Sequence, residues 1–193
     1  SEPGGSTTVT EAGDTDTFTV VLNAQPDSDV VLSITSSDTG EATVTSSLTF
    51  TSANWDTAQV VTVTGVDDDL IDGTISSNLL IAIVDASSDD DFDAVADQTV
   101  SVSTTDDDVA GFTVTETEGS TGVTEAGSTD ILNVVLNSQP DSDVVLTISS
   151  SDTGESSVHG STVSNNTITF TSANWDTPQA FTVTGVDDDL VDG

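Results

Sequence analysis

The stretch TFTVVLN, residues 17–23, places apolar side chains at every second position. In an extended strand this spacing puts Phe18, Val20 and Leu22 on one face. The stretch DVVLSIT, residues 29–35, repeats the pattern after a short polar segment that contains a Pro-Asp pair. Proline and aspartate between two alternating runs are typical of a turn, so the two stretches predict consecutive β-strands.

The same alternation continues along the first 108 residues, at 47–51, 58–66, 78–86 and 98–105. No segment has the 3.6-residue period of an amphipathic helix. About seven short strands separated by turn residues predict an all-β fold, an antiparallel β-sandwich of immunoglobulin-like type.

The chain also contains an internal repeat. Residues 9–44 align with residues 123–158 at an offset of 114, and 27 of the 36 positions are identical. Residues 49–73 align with residues 169–193 at an offset of 120, and 21 of the 25 positions are identical. A repeat of this length has the size of a domain, so we expect tandem folded domains and not a short-period solenoid.

The predicted domains are residues 1–108 and residues 109–193. The second has no counterpart of the stretches at 78–86 and 98–105, so it lacks its last two strands. We expect those strands to come either from a continuation of the polypeptide or from an adjacent subunit by strand addition. In both cases the expected partners are neighbouring identical repeats.

Composition narrows the classes of partner. The chain has 35 acidic residues, no lysine or arginine and one histidine, for a formal net charge of −35. Nucleic acid and anionic membranes both require basic side chains, so neither is expected as a partner. The chain contains no run of 18 apolar residues, so membrane insertion is not expected. Because cysteine is absent, any stabilising crosslink has to use oxygen ligands.

The acidic residues are concentrated where predicted strands end. The candidate ligands of the first repeat are Glu11, Asp67, Asp68, Asp69, Asp72, Asp106, Asp107 and Asp108. Those of the second repeat are Glu125, Asp187, Asp188, Asp189 and Asp192. Two like charges 4 Å apart repel by about 1 kcal/mol in water and about 4 kcal/mol near a protein surface, so each triplet needs a cation.

Ca²⁺ fits these residue types best. It takes six to eight oxygen ligands in flexible geometry, whereas Mg²⁺ demands a strict octahedron and Zn²⁺ prefers histidine or cysteine. The alternative is that the triplets are a solvated acidic face, as we expect for scattered residues such as Asp27 and Asp29. The triplets differ from these because they occupy matched strand ends in both repeats.

Three motifs in this order resemble the Calx-β domain: VTEAG at 9–13, VTGVDDDLIDG at 63–73 and TTDDDVAGFTV at 104–114. The chain is similar to Calx-β domains of sodium–calcium exchangers, and more closely to tandem Calx-β-like repeats of giant secreted (RTX-type) bacterial adhesins. The resemblance covers nearly the whole chain.

The resemblance implies a β-sandwich that binds calcium at one end. It implies ligands from Glu11, from Asp67, Asp68, Asp72 and the Leu70 carbonyl, and from Asp106, Asp107 and Asp108. Family members also have an acidic residue before an aromatic one in the loop at 36–44. Here that pair is missing, and Asp38 or Glu41 is a weak substitute.

These observations favour a non-enzymatic, extracellular structural repeat, a calcium-rigidified stalk or fibre segment of a secreted adhesin or surface filament. The first alternative is a regulatory calcium sensor, which binds near micromolar calcium instead of 10⁻⁴ to 10⁻³ M. The second is a non-catalytic appendage of a secreted hydrolase, for which the chain offers no cleft-forming insertion around a carboxylate pair.

Two further motifs have alternative interpretations. Trp55 and Trp175, in the repeated FTSANWDT, are interpreted as core residues, with stacking on surface glycans as the alternative. The run DDDFD at 89–93 begins like an EF-hand loop, but Ala94 and Val100 stand where that loop needs glycine and glutamate. The run is therefore predicted to be a flexible acidic loop.

Overall fold

The computed structural model describes residues 7–160 and 166–188. The chain forms two compact units. The first consists of Ser1–Asp68 and Asp72–Asp107, and the second of Asp69–Ile71 and Asp108–Gly193. Asp108 and the short segment Asp69–Ile71 thus belong to the second unit, whereas the sequence predicts a boundary after residue 108.

The first unit has eight strands within its described residues. They are β1 (Thr7–Thr10), β2 (Thr15–Val20), β3 (Val30–Ser36), β4 (Ala42–Val44), β5 (Ser47–Phe50), β6 (Gln59–Gly65), β7 (Ile75–Ile83) and β8 (Gln98–Thr105). One sheet has the order β1-β8-β7-β3-β5 and the other the order β2-β6-β4. All neighbouring strands are antiparallel except β1 and β8, which run parallel.

The core of the first unit lies between these two sheets. It is built from every second residue of the strands, as the alternating pattern predicts. Phe18 on β2, Ile34 on β3, Phe50 on β5, Val61 on β6 and Leu79 on β7 are all buried and belong to one cluster. The predicted all-β sandwich is therefore confirmed.

The second unit has six strands in its described residues. They are β9 (Phe112–Glu116), β10 (Thr129–Leu136), β11 (Val144–Thr147), β12 (Ser156–Gly160), β13 (Thr167–Phe170) and β14 (Gln179–Gly185). A four-stranded sheet has the order β12-β14-β10-β9, and β11 pairs with β13 alone. Its core is smaller, around Ile168, Phe170 and Phe181.

Short strands and turns account for most differences from the predicted strands. The strands β1, β4, β9 and β12 were not predicted, because three to five residues give too little alternation to recognise. The predicted strand at 78–86 instead runs over Ile75–Ile83 and is followed by 3-10 turns at Asp85–Ser87 and Asp90–Phe92.

The prediction of a flexible acidic loop at 89–93 is wrong for Asp89. This residue is buried, at 6% exposure, and its carboxylate accepts hydrogen bonds from the backbone N–H groups of Asp27, Ser28 and Asp91. These bonds lower the pKa of Asp89, the one from Ser28 most strongly. Asp89 therefore fastens the β7–β8 connection to the turn that precedes β3.

Candidate metal centre

The position of Glu11 follows from the pairing of β1. This strand lies parallel to β8, and just beyond its end the Glu11 N–H donates to the Thr105 carbonyl at 3.1 Å. The side chain is turned inward and is 1% exposed. A carboxylate is thereby buried at the end of the sandwich where β8 also ends.

Gly65 allows a second element to approach the same point. A Cβ atom on this residue would lie 1.9 Å from the Thr10 carbonyl oxygen, so only glycine fits against the end of β1. The chain leaves β6 at Gly65 and continues directly into the aspartates at 67–69. The close contact thus brings the aspartate-rich loop next to Glu11.

Glu41 completes the buried part of the site. It directly precedes β4, is 7% exposed, and its carbonyl accepts a hydrogen bond from the Val66 N–H at 2.9 Å. Carboxylate oxygens of Glu11, Glu41 and Asp72 all lie within 4.8 Å of one another. Such a group could hold a metal ion.

Burial and charge both act on these glutamates. Burial, followed by the charges of Asp68, Asp72, Glu41 and Asp106, raises the pKa of Glu11 to about 7. The pKa of Glu41 is raised as well, by burial first and then by the charges of neighbouring carboxylates. We call Glu11, Glu41, Asp68, Asp72 and Asp106 the acidic cluster.

The acidic cluster contains two buried oxygen atoms that need a partner. Within the part of the chain that the structure describes, Oε2 of Glu11 and Oε2 of Glu41 have no hydrogen-bond partner. An unpartnered buried carboxylate is strongly destabilising, and this chain has no lysine or arginine to neutralise it. An all-oxygen, multiply negative site of this kind fits a hard cation such as Ca²⁺.

The other predicted ligands of the first repeat are distributed around the acidic cluster. Asp68 and Asp106 are half-buried, and the Asp106 carboxylate accepts from the Gly73 N–H at 2.8 Å. Asp67 and Asp107 are exposed. Both aspartate runs lie beyond the ends of β6 and β8, and within each run exposed and half-buried residues alternate.

Three predicted ligands belong to the second unit. The Asp69 carbonyl accepts from the Gln139 N–H at 2.7 Å, and Leu70 forms an isolated bridge with Gln139. The carboxylate of Asp108 accepts from the Ser138 hydroxyl at 3.2 Å. The role of these three residues as ligands stays a prediction.

The matching residues of the second repeat are arranged differently. Glu125 and Asp187 are exposed, and Asp188 is half-buried. Asp189 and Asp192 lie outside the described residues.

Glu41 is the residue that the sequence signalled least clearly. The motif SSDTGE forms a turn, in which the Asp38 carboxylate accepts a hydrogen bond from the Gly40 N–H two residues further on. Nothing in that motif shows that Glu41 points inward while Asp38 stays exposed. Its burial depends on β8, a strand distant in sequence, whose Thr104 hydroxyl donates to the Glu41 carbonyl at 3.4 Å.

The two tryptophans are half-buried. Trp175 packs against the core of the second unit, and the carbonyls of Trp55 and Trp175 accept from the N–H groups of Leu22 and Leu136. The same backbone bond therefore recurs in both repeats. Stacking on glycans stays an untested alternative.

No protein-family model and no curated protein matches this chain. Among solved structures it is similar to the calcium binding domain CBD12 of CALX1.1, at 15% identity and a TM-score of 0.40, over 95% of this chain and 74% of that one. It is similar to domains 5-6 of the S-layer protein SbsC, at 15% identity and a TM-score of 0.34, over 97% and 83%. It is also similar to the E. coli chaperone DraB, at 8% identity and a TM-score of 0.39, over 96% and 84%.

In all three comparisons the TM-score is 0.40 or lower. Within the described residues, no helix has both the length and the apolar character to cross a membrane.

Proposed function

We propose that this chain is a non-enzymatic structural repeat that calcium rigidifies, a segment of an extracellular stalk or surface fibre such as an adhesin carries. The observation that supports it best is the pair of buried, unpartnered carboxylate oxygens of Glu11 and Glu41. The chain has no basic side chain, so when these carboxylates are ionised their charge has to be balanced by a cation from solution.

Ca²⁺ at the acidic cluster joins four separate segments of the first unit. Glu11 follows β1, Glu41 precedes β4, Asp68 and Asp72 lie between β6 and β7, and Asp106 follows β8. A shared ion restrains all four at once and relieves their mutual repulsion. The first repeat is therefore stiffest when calcium is bound, including at Asp106, where the chain leaves β8.

A calcium titration with thermal unfolding tests this proposal. Each unit has one tryptophan, so the fluorescence of Trp55 in a Trp175→Phe background follows the first unit alone. Calcium at about 100 times its dissociation constant stabilises by about 2.7 kcal/mol, which corresponds to a shift of at least about 10 °C in Tm. A shift of one or two degrees at constant ionic strength contradicts the proposal.

Glu11→Gln is the informative variant, and Asp27→Asn is its control. Both remove one negative charge, but Asp27 is exposed and outside the acidic cluster. Glu11→Gln should abolish most of the calcium-dependent shift and Asp27→Asn should leave it unchanged. Equal effects would mean that calcium acts on total charge and not at a site.

Calorimetry separates the stalk from a regulatory sensor. A structural module outside the cell is expected to bind calcium with a Kd of about 10⁻⁴ to 10⁻³ M, and a sensor near 10⁻⁶ M. Mg²⁺ should give little heat at the same concentrations, because the acidic cluster does not impose an octahedron. A micromolar Kd would favour the sensor.

A further inference from the structure

The strand β1 contacts both sheets of the first unit. It is the edge strand of the five-stranded sheet, where it pairs parallel with β8. It also contacts β2 and β6, which belong to the three-stranded sheet. Along one edge of the sandwich, β1 therefore joins the two sheets, and we call its pairing with β8 the β1–β8 seam.

Alternate backbone N–H groups of β1 donate toward β2. Their acceptors are two carboxylates at the start of β2 and in the turn before it: Asp16 accepts from Thr8 at 3.1 Å, and Asp14 accepts from Thr10. The Gly65 N–H donates to the Asp14 carbonyl at 3.1 Å, which ties β6 to the same turn. None of these hydrogen bonds involves β8.

The second unit repeats this attachment in the absence of a β8 counterpart among the residues that the structure describes. The matching hydrogen bonds run from Gly122 to the Asp130 carboxylate at 2.8 Å, from Thr124 to the Ser128 hydroxyl at 2.7 Å, and from Gly185 to the Ser128 carbonyl at 3.0 Å. Residues 121–124 nevertheless form no strand, and Glu125 is exposed. The attachment toward β2 thus does not require β8, whereas burial of the glutamate does.

The β1–β8 seam ends at the acidic cluster. The N–H of Glu11 donates to the Thr105 carbonyl of β8 at 3.1 Å, and by alternation the N–H of Val9 also points to β8. Glu11 follows β1 and Asp106 follows β8, so carboxylates of the acidic cluster lie on both sides of the seam. They repel each other, and the chain has no basic side chain to hold them together.

We propose that calcium at the acidic cluster keeps the β1–β8 seam closed, and that without calcium the seam opens while β1 stays attached to β2. Glu11 then reaches solvent, as Glu125 does in the second unit, and the hydrogen bonds of Thr8 and Thr10 remain. Val9, at 0% exposure, is the apolar side chain that opening uncovers. This inference rests on the calcium site proposed above and adds which strand the ion holds.

Amide hydrogen exchange, followed residue by residue by NMR, tests the proposal with neighbouring residues of one strand as matched probes. Removal of calcium should speed exchange of the Val9 and Glu11 N–H groups at least about tenfold, and that of Thr8 and Thr10 less than about threefold. Val61, a core residue of β6, controls for unfolding of the whole unit. Equal acceleration at Val61 and Val9 would mean that calcium supports the entire sandwich, which overturns the proposal.

A calcium titration of the same sample separates this inference from the proposed function. If calcium binds and exchange at Val9 and Glu11 is nevertheless unchanged, the seam proposal is wrong and the calcium site stands. If no calcium binds to the first unit, both are wrong.

A disulfide across the seam tests the same point through affinity. Thr8 and Ser103 are partners in the parallel register, neighbouring strands lie about 4.8 Å apart, and the chain has no cysteine of its own. In a chain with Thr8→Cys and Ser103→Cys, oxidation keeps the seam closed, so calcium no longer has to close it and its affinity should rise at least about fivefold. The reduced form of the same chain is the control and should bind calcium like the wild type. An affinity that oxidation leaves unchanged overturns the proposal.

Discussion

Glu11 and Glu125 occupy the same place in two nearly identical repeats, yet one is buried and the other exposed. Glu11 is 1% exposed in the first unit, and Glu125 lies on the surface of the second. The same contrast separates Glu41, at 7% exposure, from its exposed equivalent Glu155. The motif alone therefore does not determine whether a carboxylate becomes part of a metal centre.

The local structure around these residues is conserved between the repeats. A Cβ atom at Gly65 or at Gly185 would lie 1.9 Å from the carbonyl oxygen of Thr10 or Thr124. In each repeat, the glutamate before the short strand accepts from a valine N–H at 2.9 Å, from Val66 or from Val186. The difference in burial therefore arises elsewhere.

The difference lies in β8. In the first unit β8 pairs with β1, and the Thr105 carbonyl of β8 accepts a hydrogen bond from the Glu11 N–H. The Thr104 hydroxyl of β8 donates to the Glu41 carbonyl at 3.4 Å. The second unit has no counterpart of β7 or β8 among its described residues, and residues 121–124, which match β1, form no strand. Burial of the glutamates thus depends on a strand that is distant in sequence.

Alanine at the two close-contact glycines should give the largest effects. The added Cβ of Gly65→Ala meets backbone, so β1 has to move, and we expect about 3 kcal/mol of destabilisation, at the upper end for overpacking. Because Glu11 follows β1, calcium binding to the first unit should also be lost. Trp55 fluorescence in denaturant measures the loss of stability, and a calcium titration measures the loss of binding.

Gly185→Ala is the matched control for that experiment. It creates the same clash in the second unit, so it should lower the stability reported by Trp175. It should not change calcium binding at the acidic cluster, which lies in the first unit. Loss of calcium binding in both variants would contradict the assignment.

Neutralising the two matched glutamates tests the contrast in burial directly. A pKa raised from 4.5 to about 7 means that ionised Glu11 destabilises the calcium-free fold by up to about 3 kcal/mol above pH 7. Glu11→Gln should therefore stabilise the calcium-free first unit at pH 8 by up to that amount. Glu125→Gln, at an exposed position, should change neither unit, as urea unfolding followed by each tryptophan will show.

The pH dependence follows from the same raised pKa. Between 4.5 and about 7 the folded state holds a proton on Glu11 that the unfolded state has lost, so stability without calcium rises as the pH falls. We expect a gain of about 2 kcal/mol from pH 8 to pH 5. Saturating calcium should remove the gain, because the ion binds the deprotonated carboxylate.

Control measurements on Glu11→Gln make this prediction specific. The variant should lose most of the gain, and the remainder belongs to Glu41, whose pKa is also raised. If the wild-type chain without calcium instead lost stability as the pH fell from 8 to 5, the buried-charge interpretation of Glu11 would be wrong.

The sequence predicted those features that depend on local pattern. Alternation identified the long strands, such as the one containing Ile34 and the one containing Val61, because each buries every second residue. The aspartate runs were recognisable because like charges gather at strand ends. The sandwich could be predicted because about seven such alternating segments are separated by turn residues.

Features that depend on distant pairing could not be predicted. Parallel pairing of β1 with β8 joins residues about 95 positions apart, and no local signal marks it. The burial of Glu41 depends on β8, which contacts it from 63 residues away, and the burial of Asp89 depends on N–H groups 61 and 62 residues away. From its charge alone Asp89 is expected to be exposed to solvent, but three backbone N–H groups bind its carboxylate and allow it to be buried.

The smallest effect is expected at Asp89, which anchors the β7–β8 connection that distinguishes the first unit. Asp89→Asn keeps the shape but removes the charge that three backbone N–H groups bind, so Tm of the first unit should fall by several degrees at pH 7. The pKa of Asp89 is lowered, so this stabilisation exists above the ordinary pKa of aspartate and disappears as the pH falls through the folded-state value. The Tm values of variant and wild type should therefore converge at low pH.

Asp91→Asn, at an exposed neighbour, is the control and should leave Tm unchanged at every pH. A constant Tm difference between Asp89→Asn and wild type down to about pH 2 would show that shape, and not charge, secures the connection that holds β8 against β1.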